Sequence, residues 1–311
     1  MKRSIPIIDL ADIGLGNTEE PKQSTIDRVS KELDEAFVNI GFVYLKNHGI
    51  DNPTVDAVLR ASQTFFELPD SCKDIYRRNS TQYDGYSGVD QEILESKNLH
   101  EVREAYDITS LDSFFPDKHQ PEFRKTVSEL VPKLCKLSHR LLRCLAEALG
   151  LDEEYFTRCH TMMCQGSDKN ATTFRTLFYP SLADGAIKAG VERCGQHSDY
   201  GTFTLLFQDD IGGLEVLSGG EWIAATPIPG TVLVNVGDLM QFWTANRYPA
   251  TIHRVRVPEE EIRRRQPRQS LAFFVHPDND VMVSPLNGSK NHSPISALAH
   301  LNLRYSQTYK Y

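Results

Sequence analysis

Long apolar segments and an excess of basic charge are both missing from this sequence. Its 311 residues include 34 Lys and Arg against 42 Asp and Glu, which gives a formal net charge of −8. The chain therefore lacks the basic surface by which proteins attract nucleic acids and anionic lipids. No stretch approaches the roughly 20 apolar residues of a membrane-spanning helix. We expect neither nucleic acid nor membrane as a partner.

Cysteine is also sparse, because the six cysteines form no CxxC pair and no dense framework. Cysteines in such a pattern are most often reduced, as they are in cytosolic proteins. The N-terminal apolar run is short and is interrupted by Pro6 and Asp9, unlike the core of a signal peptide. These absences favour a cytoplasmic protein, which we expect to be a monomer or a weak homo-oligomer.

The first 70 residues have a mixed helix and strand pattern. Since 40% of all residues are hydrophobic, the chain can bury a large core. Apolar spacing predicts a strand at 5–10, an amphipathic helix at 26–37 and a strand at 42–45. A second helix is expected to begin at Asn52, the predicted cap, with Pro53 in its first turn.

A long helix is predicted further along the chain, where apolar residues keep to one stripe from 123 to 149. Pro132 should kink this helix or mark a restart, and Gly150 should end it. The region before it, residues 70–118, is polar and rich in tyrosine. Within that region, residues 83–86 indicate turns and a loop that faces the substrate.

Short β-type runs separated by glycine and proline turns follow from residue 172 onward. The predicted strands are 173–179, 202–208, 214–217, 222–224, 232–236, 251–257 and 270–275. Seven short strands without intervening helices are typical of a sandwich or barrel, and here of a double-stranded jelly roll. The charged run at 259–265 is expected to be a solvated loop. The predicted fold class is therefore α+β and mainly β, with a double-stranded β-helix (jelly-roll) core flanked by helices.

Three side chains are candidates for binding a metal. His197 and Asp199 lie two residues apart near a predicted strand, so they should point to one face, and His253 lies in a later strand. Two imidazoles and one carboxylate occupy one face of an octahedral ion and leave the other face open, which suits ferrous iron. The His-x-Asp pair alone is a weak signal, because a solvent-facing turn would match it equally well.

The order of several motifs makes this signal specific. In the second half of the chain the motifs are 197–204 (HSDYGTFT), 237–238 (GD), 253–255 (HRV) and 268–270 (RQS). Together they resemble the iron(II)- and 2-oxoglutarate-dependent dioxygenases, in particular the isopenicillin N synthase-like group. Residues 5–10 and 41–50 resemble the N-terminal region of that family, and residues from about 170 to 279 resemble its jelly roll. The resemblance thus covers nearly the whole chain.

The resemblance implies a division of the chain into four regions. These are an N-terminal dioxygenase region with helices and short strands (1–120), a long supporting helix (121–168), the jelly-roll domain (169–279) and a C-terminal segment (280–311). Substrate selection is expected to depend on loops at 80–105 and 182–194 and on residues 303–311.

The resemblance also implies roles for individual residues. His197, Asp199 and His253 become the iron ligands. Arg268 and Ser270, two apart on a predicted strand, would bind the distal carboxylate of 2-oxoglutarate, since a guanidinium can clamp a carboxylate at two points. Tyr179 would line the site and contact the co-substrate, although Leu177 replaces the asparagine that plant members carry two residues before it.

Some residues near these motifs have an open or a minor role. Arg175 shares the face of Tyr179, so it could bind an acidic substrate or form a surface salt bridge. Cys194 lies three residues before His197, but we expect it to be an ordinary side chain. His48 and His276 are expected to be structural.

The implied reaction uses iron(II), 2-oxoglutarate and O2 to oxidise a small organic metabolite, with hydroxylation as the default outcome and ascorbate as an optional reductant. Retention of Asp199 argues against halogenation, which in related enzymes needs that position vacated. Three alternatives stay open at this stage. They are an iron oxidase of the isopenicillin N synthase type that does not use 2-oxoglutarate, a non-catalytic metal- or ligand-binding barrel, and a zinc hydrolase.

Overall fold

The computed structural model describes residues 4–17, 21–79, 83–89, 91, 100–182, 191–257, 265–289 and 293–308. Among these residues, no helix combines the length and the apolar character required to cross a bilayer. Parts of the two predicted substrate loops, most of the charged run at 259–265 and residues 309–311 lie outside the described residues.

Helices in the described part of the chain pack mainly on one side of a large sheet. In chain order they are α1 (Gln23–Asn39), α2 (Asn52–Phe66), α3 (Asp70–Lys73), α4 (Pro121–Ala148), α5 (Asp238–Trp243) and α6 (Ala297–Thr308). The predicted cap of α2 was wrong by one residue. Asp51 is the cap, because its side chain accepts a hydrogen bond from the backbone N–H of Thr54 at 2.9 Å, and Asn52 is the first helical residue.

The long helix α4 runs through Pro132 without a break, so the predicted restart does not occur. Its buried stripe includes Phe123, Leu130 and Leu137, and α1 and α2 both pack against it. The helix ends where Gly150 adopts a left-handed conformation (φ 66°), which glycine adopts at little cost. The predicted end at Gly150 is confirmed.

Strands make up most of the second half of the chain. In chain order they are β1 (Ile7–Asp9), β2 (Phe42–Lys46), β3 (Gly85–Ser87), β4 (His100–Glu101), β5 (Glu104–Ile108), β6 (Thr173–Tyr179), β7 (Val191–Glu192), β8 (Cys194–His197), β9 (Phe203–Gln208), β10 (Leu214–Ser218), β11 (Glu221–Ala224), β12 (Thr231–Val236), β13 (His253–Val255), β14 (Arg268–Val275), β15 (Met282–Val283) and β16 (Ile295–Ser296). All seven predicted strands are present. One helix, α5, nevertheless separates β12 from β13, so the expectation of no intervening helix was wrong.

Two sheets carry the functional part of the molecule. The large sheet has the strand order β1-β2-β12-β9-β14-β6-β5-β3, and the small sheet has the order β11-β10-β13-β8. Residues 83–86, predicted as turns of a loop, partly belong to the large sheet, because β3 pairs with β5 and Tyr86 is buried.

The large sheet is buried on both faces. Strand alternation sends Phe174 and Phe178 of β6 toward α1, α2 and α4, whereas Leu177 and Tyr179 face the small sheet. One apolar cluster fills the helix side, and a smaller cluster fills the space between the two sheets. The space between the sheets also contains the candidate site.

Candidate active site

The three candidate metal ligands come together at the junction of two strands of the small sheet. His197 ends β8, His253 begins β13, and these two residues are direct partners in the antiparallel pairing. Asp199 lies in the turn between β8 and β9. The two side chains face a common point, as predicted, but strand alternation is not the reason, because Asp199 lies beyond the end of β8.

One oxygen of Asp199 faces both imidazoles. Its Oδ1 lies 3.8 Å from Nε2 of His197 and 3.7 Å from Nε2 of His253. The three donor atoms all lie within 4.8 Å of one another, and among the described residues this is the one group of three or more His, Cys, Asp or Glu with that spacing. Two imidazole nitrogens and a carboxylate oxygen form a donor set that suits divalent iron.

Backbone carbonyls fix which nitrogen of each histidine is available. Nδ1 of His197 lies 2.8 Å from the carbonyl of Gly195, and Nδ1 of His253 lies 3.1 Å from the carbonyl of Thr251. A carbonyl only accepts hydrogen bonds, so Nδ1 carries the proton in both rings. Each Nε2 is therefore left with its lone pair directed at the common point, as in most histidine metal ligands.

The second oxygen of Asp199 is bound by the large sheet. Oδ2 accepts hydrogen bonds from the hydroxyl of Thr204 at 2.5 Å and from the side-chain amide of Asn235 at 2.7 Å. Neither residue was identified from the sequence. Asn235 had one weak signal, because it is a lone polar side chain in the apolar run of β12, where a buried amide needs a partner.

The electrostatic environment keeps two of these ligands in their binding forms. Burial and then the charge of His197 lower the pKa of His253 to about 4. Burial raises the pKa of Asp199, but the charges of His253 and His197 and the hydrogen bonds from Asn235 and Thr204 outweigh it, so the pKa is lowered. At neutral pH His253 is neutral and Asp199 is ionised, as binding a cation requires.

Arg268 is buried at the other end of the same cavity, where it begins β14. It is 1% exposed, and its guanidinium donates to the carbonyl of Gly212 (2.8 Å), to Oε1 of Gln208 (3.1 Å) and to the hydroxyl of Ser270 (3.5 Å). Within the described ranges, no carboxylate lies within ion-pair distance of it. A buried cation with only neutral partners is a suitable receptor for an anionic ligand.

Tyr179 is the cross-strand partner of Arg268. The guanidinium lies over the tyrosine ring at 4.8 Å from the ring centre, and burial raises the pKa of the phenol. The alternation of β6 and β14 thus places Tyr179, Arg268 and Ser270 on the cavity side of the large sheet. The sequence-predicted site residues all line this one cavity.

The cavity has about 920 Å³ of space, part of which is open to solvent. Side chains on its wall that do not belong to the metal or arginine clusters include Arg103, Arg175, Phe274, His276 and Tyr305. Tyr305 comes from α6, so the C-terminal segment contributes to the wall.

Arg175 does not form the surface salt bridge that was one of its two predicted roles. It is 7% exposed, and its Nε and Nη2 contact the carboxylate of Asp107 at 2.5 and 2.8 Å. Asp107 also accepts a hydrogen bond from Arg78 at 2.6 Å. This buried cluster holds the Arg175 guanidinium on the cavity wall.

Three residues of minor expected importance are placed as follows. His48 is buried, and its Nδ1 accepts a hydrogen bond from the backbone of Ile50 at 3.2 Å. His276 is buried, and it lies on the cavity wall close to Gly201. The Sγ of Cys194 lies 3.9 Å from Nδ1 of His197, the nitrogen that faces away from the metal position.

The chain is similar to known proteins along most of its length. The family model described as the 2OG-Fe(II) oxygenase superfamily matches residues 170–277, and the model described as non-haem dioxygenase in morphine synthesis N-terminal matches residues 5–132. Homoarginine-6-hydroxylase of Oryza sativa subsp. japonica is 31% identical over 305 residues, which cover 91% of this chain and 89% of that protein.

Two further similarities agree with these matches. The 2-oxoglutarate-Fe(II) type oxidoreductase ppzD of Metarhizium rileyi is 29% identical, with 92% of this chain and 84% of that protein covered. The crystal structure of a full-length Neurospora crassa protein in complex with alpha-KG has a TM-score of 0.84 and 27% identity, with 97% of this chain and 96% of that chain covered. Similarity of sequence and of fold therefore extends over nearly the full length of the chain.

Proposed function

The chain belongs to the 2OG-Fe(II) oxygenase superfamily, in its isopenicillin N synthase-like group, and on that premise we propose that it hydroxylates a small organic metabolite at the site formed by His197, Asp199, His253 and Arg268. It is an iron(II)- and 2-oxoglutarate-dependent oxidoreductase that uses O2. O2 would be the oxidant and 2-oxoglutarate the donor of two of the four electrons, and iron(II) bound at this site would couple them to oxidation of a C–H bond, while the protein supplies binding and geometry.

The observation that carries the proposed site is the convergence of three donor atoms. Nε2 of His197, Nε2 of His253 and Oδ1 of Asp199 face one point, and the remaining polar atoms of these side chains are held by the protein. These residues fit iron(II) in charge and in donor type. With three protein donors, an iron(II) ion held here would have further coordination positions for co-substrate and oxygen.

In the proposed co-substrate site, Arg268 binds the distal carboxylate of 2-oxoglutarate and Ser270 adds a hydroxyl donor. The support is that Arg268 is buried on the cavity wall with neutral partners. Tyr179 packs against the guanidinium and limits its movement, which lowers the entropy that binding must remove. Leu206 and Leu214 add apolar surface to the wall of the same cavity, which disfavours water there.

The substrate is expected to bind on the side of the cavity formed by Arg175, Phe274 and Tyr305, away from Arg268. We infer that the two facing sheets are the double-stranded β-helix of the family, because both the strand order and the position of the site between the sheets suit it. The four regional boundaries, the cytoplasmic location, the use of ascorbate and the monomeric or weakly associated state stay predictions.

Two of the earlier alternatives make different predictions about the products. An oxidase of the isopenicillin N synthase type would consume O2 without releasing succinate, and a non-catalytic barrel would consume neither co-substrate. The names of the Metarhizium rileyi relative and of the Neurospora crassa complex include 2-oxoglutarate or alpha-KG, which favours the 2-oxoglutarate-dependent reaction. A zinc hydrolase would have no use for a buried arginine opposite its metal.

An anaerobic titration tests the proposed site. Iron(II) is added to the metal-free protein, followed by 2-oxoglutarate, and the visible absorption band of an iron(II) chelated by a 2-oxo acid is recorded. Arg268→Gln should raise the 2-oxoglutarate concentration needed for half of the band by roughly 10- to 100-fold, because a charge-assisted hydrogen bond is lost.

Arg247→Gln is the matched control, since Arg247 forms an exposed ion pair with Asp34 and lies outside the cavity. It should titrate as the wild type does. Absence of the band in the wild-type protein would refute the proposed function. A band that forms equally well in Arg268→Gln would refute the role of Arg268 alone. Admission of oxygen with a panel of metabolites, scored by succinate release, then identifies the substrate.

A further inference from the structure

The carboxylate of Asp199 is divided between two sets of partners. Oδ1 faces Nε2 of His197 and of His253, at 3.8 and 3.7 Å. Oδ2 points the other way and accepts from Thr204 at 2.5 Å and from Asn235 at 2.7 Å. Oδ1 is therefore available to a metal ion, whereas Oδ2 is occupied by hydrogen bonds from the protein.

The two donors belong to the rigid centre of the large sheet. Thr204 on β9 and Asn235 on β12 are direct cross-strand partners, and they are 3% and 2% exposed. Each of these two strands is hydrogen-bonded to a neighbouring strand on both sides, which restricts its backbone. Asp199, by contrast, lies in a turn outside the strands. The sheet thus holds the side chain of a ligand whose backbone lies outside the strands, where the carbonyl of Asp199 accepts a hydrogen bond from the backbone N–H of Asp238 at 2.7 Å.

We propose that Thr204 and Asn235 are positioning residues that hold Asp199 so that only Oδ1 is offered to iron. This inference rests on the proposed function, because it concerns how one iron ligand is oriented. A carboxylate without such donors can rotate or bind a metal through both oxygens. Two donors on Oδ2 oppose both changes, so the ligand set keeps three donors and leaves room for the co-substrate.

A purely structural role is the competing explanation, since any buried carboxylate needs hydrogen-bond donors. The large sheet contains a second buried threonine, and its replacement by valine serves as a control for Thr204→Val. Thr176 on β6 is fully buried, and its hydroxyl has no hydrogen-bond partner within the described part of the chain. Thr176→Val therefore measures what exchange of a buried threonine for valine does to this sheet without any effect on Asp199.

The test measures binding of iron(II) alone to the metal-free protein, by anaerobic competition with a coloured iron(II) chelator and without 2-oxoglutarate. Thr204→Val removes the hydroxyl but keeps the shape, and Asn235→Leu removes the amide. Each should weaken iron(II) binding by roughly 10- to 100-fold, the usual effect of losing a group that orients a metal ligand. Thr204→Ser, which keeps the hydroxyl, should bind as the wild type does.

Thermal unfolding of the metal-free variants separates this result from general damage. Thr204→Val should lose more stability than Thr176→Val, because it also removes a hydrogen bond from a buried carboxylate, but it should still be folded at the temperature of the binding measurement. Wild-type affinity in both Thr204→Val and Asn235→Leu would overturn the inference, and so would weak binding in Thr204→Ser. Asn235→Leu carries the test if Thr204→Val does not fold. Failure of the wild-type protein to bind iron(II) would instead refute the proposed function.

Discussion

His160 shows how single buried residues couple this fold to pH. Its ring is fully buried and lies parallel to Trp243 at 6.3 Å between ring centres. Nδ1 donates to the carbonyl of Phe156 at 2.7 Å, so Nε2 accepts from the hydroxyl of Thr202 at 2.8 Å. Burial lowers the pKa of this imidazole from 6.5 to about 4. The native protein therefore favours the neutral ring.

The protein should lose stability in acid because of this residue. Between pH 6.5 and about 4 the unfolded chain binds a proton at His160 that the native state excludes, so the free energy of unfolding falls as pH falls through that window. The effect approaches about 3 kcal/mol at about 1.4 kcal/mol for each unit of pKa difference. Urea unfolding at pH 7.5 and at pH 5 should show a smaller loss for His160→Gln than for the wild type.

One other buried histidine and one partly buried histidine contribute to the acid sensitivity, so the variant should remove only a share of it. Burial also lowers the pKa of His276 to about 3 and that of His300 to about 4. The quantity to compare is the loss in the free energy of unfolding between pH 7.5 and pH 5, measured for the wild type and for His160→Gln. An equal loss in wild type and variant would contradict the assignment to His160.

Residue chemistry made much of the site predictable from sequence. The side chains that carry the chemistry are histidine, carboxylate and arginine, which bind metal ions and anions. The order of His197, Asp199, His253 and Arg268 along the chain resembles that of one family of enzymes. Thr204 and Asn235 were not found, because a hydroxyl and an amide in strands give no spacing signal. Their contact with Asp199 depends on the pairing of β9 with β12, which only the folded chain shows.

At the scale of secondary structure, the start of α2 depends on one side chain. Asp51 accepts from the backbone of Thr54 and also contacts Nζ of Lys133 on α4 at 3.0 Å. The hydrogen bond from Lys133, together with those from Thr54, lowers the pKa of the Asp51 carboxyl. The residue therefore both caps α2 and joins it to the helix on which it packs.

Asp51→Ala should lower the free energy of unfolding by about 1 kcal/mol, because one N-terminal amide loses its acceptor. The ion pair with Lys133 is largely exposed and adds little. Asp56→Ala is the matched control, since Asp56 is an exposed residue in the interior of the same helix. It should change stability by no more than about 0.5 kcal/mol. Equal values for the two variants would exclude a capping role.

Strand β5 was not predicted from the sequence, and the reason is physical. Strand β5 contains Glu104 and Asp107, and charged residues argue against a buried strand. Both carboxylates have a cationic partner close by, Lys73 at 2.6 Å and Arg78 at 2.6 Å, so burial is tolerated. These partners are distant in sequence. The seven strands that were predicted have apolar alternation of their own, which needs no knowledge of partners.

At the scale of the whole molecule, the N-terminal region and the later strands share one sheet. Strand β12 pairs with β2 on one side and with β9 on the other, and β6 lies between β14 and β5. One apolar cluster extends from Ile8 to Ala297. If one of these regions unfolded alone, the other would lose its paired strands and expose its part of the core to water. The two regions therefore cannot unfold separately at little cost.

We therefore expect one cooperative unfolding transition for the full chain. Both tryptophans, Trp222 and Trp243, lie in the second half of the sequence, whereas most helical residues belong to α1, α2 and α4 in the first half. Tryptophan fluorescence and far-UV circular dichroism thus report on different regions. Their urea transitions should have the same midpoint, and two separate midpoints would show that the halves unfold independently.

Leu45 provides the corresponding mutation, because it lies on β2 opposite Val232 of β12 and is fully buried. Leu45→Ala should cost about 2 to 5 kcal/mol, the usual range for a leucine replaced by alanine in a core. The same shift should occur in fluorescence and in circular dichroism, although the tryptophans are far from residue 45 in sequence. Ile7→Ala, at a half-exposed position of the adjacent β1, should shift neither signal appreciably. A shift confined to the dichroism signal would mean that the N-terminal strands stabilise only their own region, and that the metal-binding half of the sheet folds without them.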